Sequence, residues 1–294
     1  MLSHDAMHPL HLSRLRLVDD PRDMWRGRQG SEDARQPGSL YGNVIAALTA
    51  AAASAATERA RGYYRDLLER TVRAGTLDHP ARYTPARQRV GARSYLRRQV
   101  SVDTYACSQG VAEPLRWRGR RLLKGVWDLA IYGQLLQELR PRTIVELGAG
   151  PGASALWFAD QAIGLGIDCH VVSLDRSPPP AVRGRPSVTY QYCDLEGDLA
   201  MLVAALRRRP AATPLLVVED AHVAIPAVLS CVDAELDRGD YLVIEDSEGK
   251  QAELVAFLEK AQRDYYVDNM LCDRFGVNAA SAMNSIFMVG PPER

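Results

Sequence analysis

The chain has 294 residues, 36 Lys+Arg against 36 Asp+Glu, and no formal net charge at pH 7. With 47% hydrophobic residues it can build a large core, which excludes wholesale disorder. A zero balance without a basic run leaves no electrostatic footprint for nucleic acid. Val44 to Ala56, the longest apolar stretch, is too short to span a bilayer. The N-terminus, with His4, Asp5, His8 and His11, lacks the layout of a signal peptide. The expectation is a cytoplasmic protein acting on a small molecule, without nucleic acid or membrane as partner. Cys107, Cys169, Cys193, Cys231 and Cys272 form no CxxC pair, which argues against a zinc cluster or disulfide framework. Lysine is rare, at Lys124, Lys250 and Lys260 alone.

Residues 1–38 mix Pro, Asp, Arg, Gln and Gly without period and read as a loose extension. Ser39 can cap a helical stretch that runs to Gly75, with Val44, Ala47, Leu48 and Ala51, then Tyr64, Leu67, Leu68 and Val72, on one face. Such a helix pair needs a partner surface, a neighbouring subunit or the catalytic domain. A homo-oligomer formed through these helices is expected. Residues 77–118 read as a linker, closing a helical region over 39–118.

From Leu122 the texture changes. A helical segment to Leu139 precedes β-rich runs at Thr143–Leu147, Cys169–Leu174, Val188–Tyr192, Leu215–Val218 and Tyr241–Ile244. Helical candidates lie at Ala153–Ile163, Leu199–Arg208, Ile225–Asp237 and Gln251–Gln262, while Pro178, Pro179 and Pro180 make one crossover irregular. Strands alternating with helices predict an α/β fold with a doubly wound, mostly parallel sheet over 119–294, preceded by an N-terminal helical extension. Tyr265–Leu271 and Ser285–Val289 predict two closing strands, one antiparallel at the end of the sheet.

The strongest motif runs from Thr143 through Glu146, Gly148, Ala149, Gly150 and Gly152 to Ser154: a β-branched strand, an acid, a glycine-rich turn and a helix start. Glycines let a ligand approach the backbone, and the helix N-terminus offers free N–H groups. A dinucleotide fingerprint wants G-x-G-x-x-G. The spacing G-x-G-x-G and the carboxylate of Glu146, which would repel a pyrophosphate, argue against an NAD(P)-dependent oxidoreductase. They suit a cationic, phosphate-free ligand such as S-adenosylmethionine. Asp175 ends the second strand, where an acid takes ribose hydroxyls, and Asp194 follows the third, at an expected adenine edge.

The order Glu146/Gly148/Gly150/Gly152, Asp175, Asp194 resembles the class I S-adenosylmethionine-dependent methyltransferases. Four stretches are similar to the cephalosporin hydroxylase and rhamnosyl O-methyltransferase-like family: Trp117 to Lys124, Arg142 to Asp160, Glu219-Asp220-Ala221-His222, and Gly239 to Asp246. The resemblance covers roughly residues 115 to 290. Its glycine turn, Gly-Ala-Gly-Pro-Gly, is closer to ordinary methyltransferases than to that family. The resemblance implies a Rossmann-like methyltransferase domain. Its cofactor pocket would be built from Lys124, Glu146, Gly148, Ala149, Gly150, Ser154, Asp175, Arg176, Asp194, Leu195 and Asp220.

Strands ending in Glu219-Asp220 and Glu245-Asp246 open on the same carboxyl edge of such a sheet. Several carboxylates there repel unless neutralised, so a hard divalent cation is expected. The resemblance likewise implies Mg²⁺ held by Asp220, Glu245 and Asp246, with Asp220 favoured over Glu219 as first ligand. The ion would lower the pKa of a substrate hydroxyl, and His222 is suited to take the proton. Lys124 is expected at the cofactor carboxylate or the acidic cluster. Together these imply an O-methyltransferase of secondary metabolism, with antibiotic biosynthesis as the setting. A partner protein supporting a hydroxylase and an N-methyltransferase are the alternatives. The loops near Asn269–Asn284 and residues 77–118 are expected to shape the acceptor pocket, with Tyr265, Tyr266 and Phe275 hinting at an apolar substrate.

Overall fold

The computed structural model describes residues 40–74 and 82–291, apart from 97, 99, 101, 183 and 212. The expectations placed on residues 1–38, Ser39 and Gly75 lie outside these. The chain divides into two compact units between His79 and Pro80.

In the first unit, α1 (Leu40–Ser54) and α2 (Glu58–Ala74) pack on each other. The single helical stretch is broken by capping chemistry. Thr57 Oγ1 accepts the N–H of Ala60 at 3.2 Å, which starts a new helix at Glu58. Ser54 closes the first by donating to the Ala50 carbonyl at 2.9 Å.

The second unit begins with strand β1 (Tyr83–Pro85), the short helix α3 (Ala86–Arg89), a 3₁₀ turn at Arg93–Tyr95 and helix α4 (Val102–Ser108). A hairpin follows, β2 (Arg116–Trp117) and β3 (Arg120–Arg121), then α5 (Val126–Leu139). The alternating core comprises β4 (Thr143–Leu147), α6 (Ala153–Gly164), β5 (His170–Asp175), β6 (Val188–Tyr192), α7 (Ala200–Leu206), β7 (Leu215–Glu219), α8 (Ile225–Glu235), β8 (Tyr241–Ile244) and α9 (Gln251–Lys260). It closes with β9 (Tyr265–Asp268), α10 (Asn269–Cys272) and β10 (Ile286–Val289).

The sheet has eight strands in the order β1-β9-β10-β8-β7-β4-β5-β6. β8, β7, β4, β5 and β6 are parallel, while β10 runs antiparallel to both β8 and β9. Among the described residues no helix separates β5 from β6, in keeping with three prolines there. Every residue of β4, β7 and β8 is buried, the pattern of strands covered on both faces. Each buried Val or Leu there contributes about 1.5–3 kcal/mol. No helix among the described residues is long and apolar enough to cross a membrane.

Two expectations are corrected. The antiparallel strand β10 lies inside the sheet, and the edge is β1, from the stretch read as linker. The boundary at 118/119 is likewise misplaced, because residues from Pro80 onward belong to the second unit. Long-range polar anchors explain this. Arg82 donates to Asp268 Oδ2 at 2.7 Å, and Arg89, 1% exposed, donates to Asn284 at 2.8 Å and Asp273 at 2.7 Å. Arginines with partners more than a hundred residues away leave no local periodicity to read.

Candidate active site

At the carboxyl edge of the parallel strands lies a cavity of about 580 Å³, within the range of small-molecule sites. Its floor is the turn after β4. Gly148 has φ +94°, and a Cβ there would stand 2.6 Å from the Asp220 carbonyl oxygen, so the close approach of two strand ends requires glycine. Gly150, at φ +46°, has nothing within 4 Å of its Cβ position and opens on the cavity.

Ala149, Ser154, Asp175, Arg176, Asp194, Leu195, Asp220 and His222 also line the cavity, as do Lys124 and Asp246. Asp175 ties the turn to β5. It accepts the Gly150 N–H at 3.0 Å through Oδ2 and the Ser177 N–H at 2.7 Å through Oδ1. Arg176 pairs with Glu196 at 3.2 Å.

Glu146 differs from expectation. It is 0% exposed and does not line the cavity. Its strand is flanked on both sides, and its register partner Ser173 donates to its Oε2 at 2.6 Å. Burial pushes this carboxyl up, while Lys124 and the Ser154 and Ser173 hydroxyls work the other way. Glu146 organises the turn from beneath.

The acidic cluster is more finely divided than sequence suggests. Lys124 is fully buried, with Nζ 2.6 Å from Asp220 Oδ2 and 2.8 Å from Glu245 Oε1. Burial opposes its charge, but Asp220, Glu245 and Glu146 hold the ammonium protonated well beyond its usual range. Its nitrogen thus meets the acidic cluster, one of the two places expected for it. Glu245 points into the core and also accepts from the Tyr132 hydroxyl at 2.5 Å. Burial and Asp220 push its carboxyl up. Glu219, 0% exposed, accepts from Lys250 at 2.7 Å and from the backbone N–H groups of Ala221 and His222 at 3.0 and 2.8 Å. Two lysines therefore contact three of the four acids, and the repulsion expected to demand a cation is partly relieved by the protein itself.

What remains at the cavity is a trio: Asp220, His222 and Asp246 offer ligand atoms within 4.8 Å of one another. Glu245 is not part of it, and His222 stands in its place. His222 Nε2 lies 3.2 Å from Asp220 Oδ1 and 3.5 Å from Asp246 Oδ2. The hydrogen bond to Asp220 raises the imidazole pKa, against burial and the Lys250 charge. His222 (φ +60°) and Asp246 (φ +44°) both hold left-handed backbone conformations. Each costs about 1–3 kcal/mol, which surrounding bonds must offset.

Among the fold's relatives, the family profile of rhamnosyl O-methyltransferase/CmcI matches residues 109–269, more than half of the chain. The chain belongs to this family. It is a family of S-adenosylmethionine-dependent methyltransferases. The rhamnosyl O-methyltransferase of Mycobacterium leprae (strain TN) is 29% identical over 136 residues, covering 45% of this chain and 59% of that protein, so the matched part spans less than two thirds of that relative. The enzyme of the same name from Mycobacterium tuberculosis (strain ATCC 25618 / H37Rv) is 25% identical over 182 residues, covering 56% and 74%. A solved structure of CmcI with Mg and SAM shares 29% identity and a TM-score of 0.50, covering 66% of this chain and 87% of that one.

Within the family frame, the four resembling stretches bind one another. Trp117 and Arg118 donate to Asp160 at 2.9 and 2.6 Å, and Lys124 reaches both Asp220 and Glu245. Lys250 is the residue that sequence reasoning missed. Its Nζ contacts Glu219 Oε2, His222 Nδ1 and the Glu245 carbonyl, each at 2.7 Å. Lysine scarcity was the available signal, since two of the three lysines are buried in this site. The aromatics expected at the acceptor do not line the cavity. Tyr265 is buried and donates to Asp233 at 2.8 Å. Gln109, Arg121 and Leu123 line the cavity instead.

Proposed function

We propose that this protein is an S-adenosylmethionine-dependent, divalent-metal-assisted O-methyltransferase acting on a hydroxyl of a small natural product in secondary metabolism. The observation that carries the reading is the Asp220–His222–Asp246 trio, lining the same cavity as the Gly148–Gly150 turn. The residues fit both groups. The open space at Gly150 accommodates a ligand's methionyl portion, and the two carboxylates suit Mg²⁺ or a similar hard ion, with His222 beside them left for proton transfer. Asp175 would hold the ribose, Asp194 and Leu195 the adenine edge, and Asp220 and Asp246 the ion. When bound, the cofactor supplies an electrophilic methyl group and the cation lowers the pKa of a coordinated hydroxyl.

The chain's own residues do the rest. Asp220 and Asp246 set where the acceptor oxygen rests. Leu123 and Val223, at the same cavity, suit an apolar acceptor body. His222 would take the hydroxyl proton at Nε2 only after that nitrogen gives up the hydrogen it shares with Asp220, with the remaining ring hydrogen on Nδ1, facing Lys250. An ammonium donating to Nδ1 instead leaves Nε2 as the ring N–H. Lys250 thereby governs whether the base is free. Lys124 keeps Asp220 charged and in place, while Glu245 braces Lys124 from the core.

The test is mass spectrometry of S-adenosylmethionine turnover with a panel of hydroxylated glycosides, with and without chelator. Methyl transfer should fall by orders of magnitude in chelator while cofactor affinity holds. His222→Ala should lose about 10²–10⁴ in rate, less at higher pH. Full activity in excess chelator refutes the metal reading.

A further inference from the structure

The cavity contains four cationic side chains, and three are already committed to acids. Lys124 is held by Asp220 and Glu245, Arg176 by Glu196, and His222 by Asp220 and Asp246. The fourth, Arg121, lines the same cavity and makes no ion pair or side-chain hydrogen bond among the described residues. An arginine presents a planar fork of donors that matches a carboxylate, and it stays charged at any working pH.

Its placement is fixed by its neighbours. Arg121 sits on the β2–β3 hairpin, which is pinned on both sides. Arg120 donates to the carbonyls of Pro151 at 3.3 Å and Pro180 at 2.8 Å. Trp117 and Arg118 bind Asp160 on α6 at 2.9 and 2.6 Å. Three residues beyond Arg121, Lys124 reaches Asp220 at 2.6 Å. Arg121 therefore lines the cavity from a segment tied on one side to the glycine turn, through Arg120 on the Pro151 carbonyl, and on the other to Asp220, through Lys124.

Given the cofactor reading of this cavity, on which the inference rests, the glycine turn to which this hairpin is tied receives the methionyl portion of S-adenosylmethionine. The portion carries an α-carboxylate, and the acids crowding the trio would repel it. We infer that Arg121 is the residue that binds this carboxylate, so that the hairpin orients the methionyl end of the cofactor. The side chain is exposed and makes no structural bond, so its removal leaves the fold intact.

Calorimetry with two probes tests this. S-adenosylhomocysteine carries the carboxylate, whereas 5′-methylthioadenosine lacks the amino-acid portion entirely. Arg121→Ala should weaken S-adenosylhomocysteine roughly 10- to 100-fold, the loss of a charge-assisted pair of hydrogen bonds, and leave 5′-methylthioadenosine within about twofold. Arg121→Lys should recover part of the loss, because a point charge replaces the fork. Unchanged S-adenosylhomocysteine affinity in Arg121→Ala overturns the inference, and equal weakening of both probes does so as well. Absence of S-adenosylhomocysteine binding to the wild-type protein would instead sink the cofactor reading itself.

Discussion

Lys124→Met is the most informative perturbation of the buried charge network. The ammonium is fully buried and bridges Asp220 at 2.6 Å and Glu245 at 2.8 Å. Methionine matches its length and removes its charge, leaving two carboxylates with no cation between them. Removing one partner of a buried ion pair costs about 3–5 kcal/mol, chiefly because the other charge stays desolvated. Burial and Asp220 already push the Glu245 carboxyl up, so in the variant it should take up a proton and bring the loss towards the lower end at neutral pH. A carboxyl whose folded pKa lies above its unfolded value loses stability as pH rises. The gap between variant and wild type should therefore widen from acid to alkaline pH. Urea unfolding across that range measures it. Adding Glu245→Gln should recover about 1–3 kcal/mol, a coupling that a double-mutant cycle isolates. A loss below about 0.5 kcal/mol, or strict additivity with Glu245→Gln, would show that Lys124 does not neutralise these acids.

Gly148→Ala should destabilise by about 2 kcal/mol or more, since its Cβ would meet the Asp220 backbone at 2.6 Å under a φ of +94°; near-native stability in urea would contradict this packing. Gly150→Leu should fold with a loss of about 1–2 kcal/mol yet fail to bind S-adenosylhomocysteine in calorimetry, and undiminished binding would remove the turn from the cofactor site. Asp175→Ala should weaken that ligand by about 1.5–3 kcal/mol; equal competition by adenosine against both proteins would give Asp175 another role. For Asp160, burial works upward but is outweighed by hydrogen bonds from Arg118 and Trp117 and by the Arg185 charge, which hold the carboxyl below its usual range. Its contribution is present above that range and lost as pH falls through the lowered value. Asp160→Asn should thus destabilise at pH 7 and progressively less as the pH falls below the usual aspartate range, and an equal loss across that titration would rule out charge as the cause.

The amino-acid sequence by itself determined the parallel core and the glycine turn. β4, β6 and β8 occupy the stretches read from it, because a strand covered on both faces is a local apolar run and a turn with left-handed backbone needs glycine at fixed steps. It also brought out Asp175, Asp194 and Asp220, which follow strand ends whose common edge is set by topology. Only the tertiary structure decided how the acids are shared. Glu146 and Glu245 are as acidic in sequence as Asp175 and Asp220, but Glu146 within β4 and Glu245 just past β8 are held by Ser173, Tyr132 and Lys124 and do not line the cavity. The same holds for Lys250 and Arg89, whose charges are satisfied by partners brought near through folding. Hydrophobic periodicity is written locally along the chain. The pairing of buried charges is a property of distances that exist only once the sheet has formed.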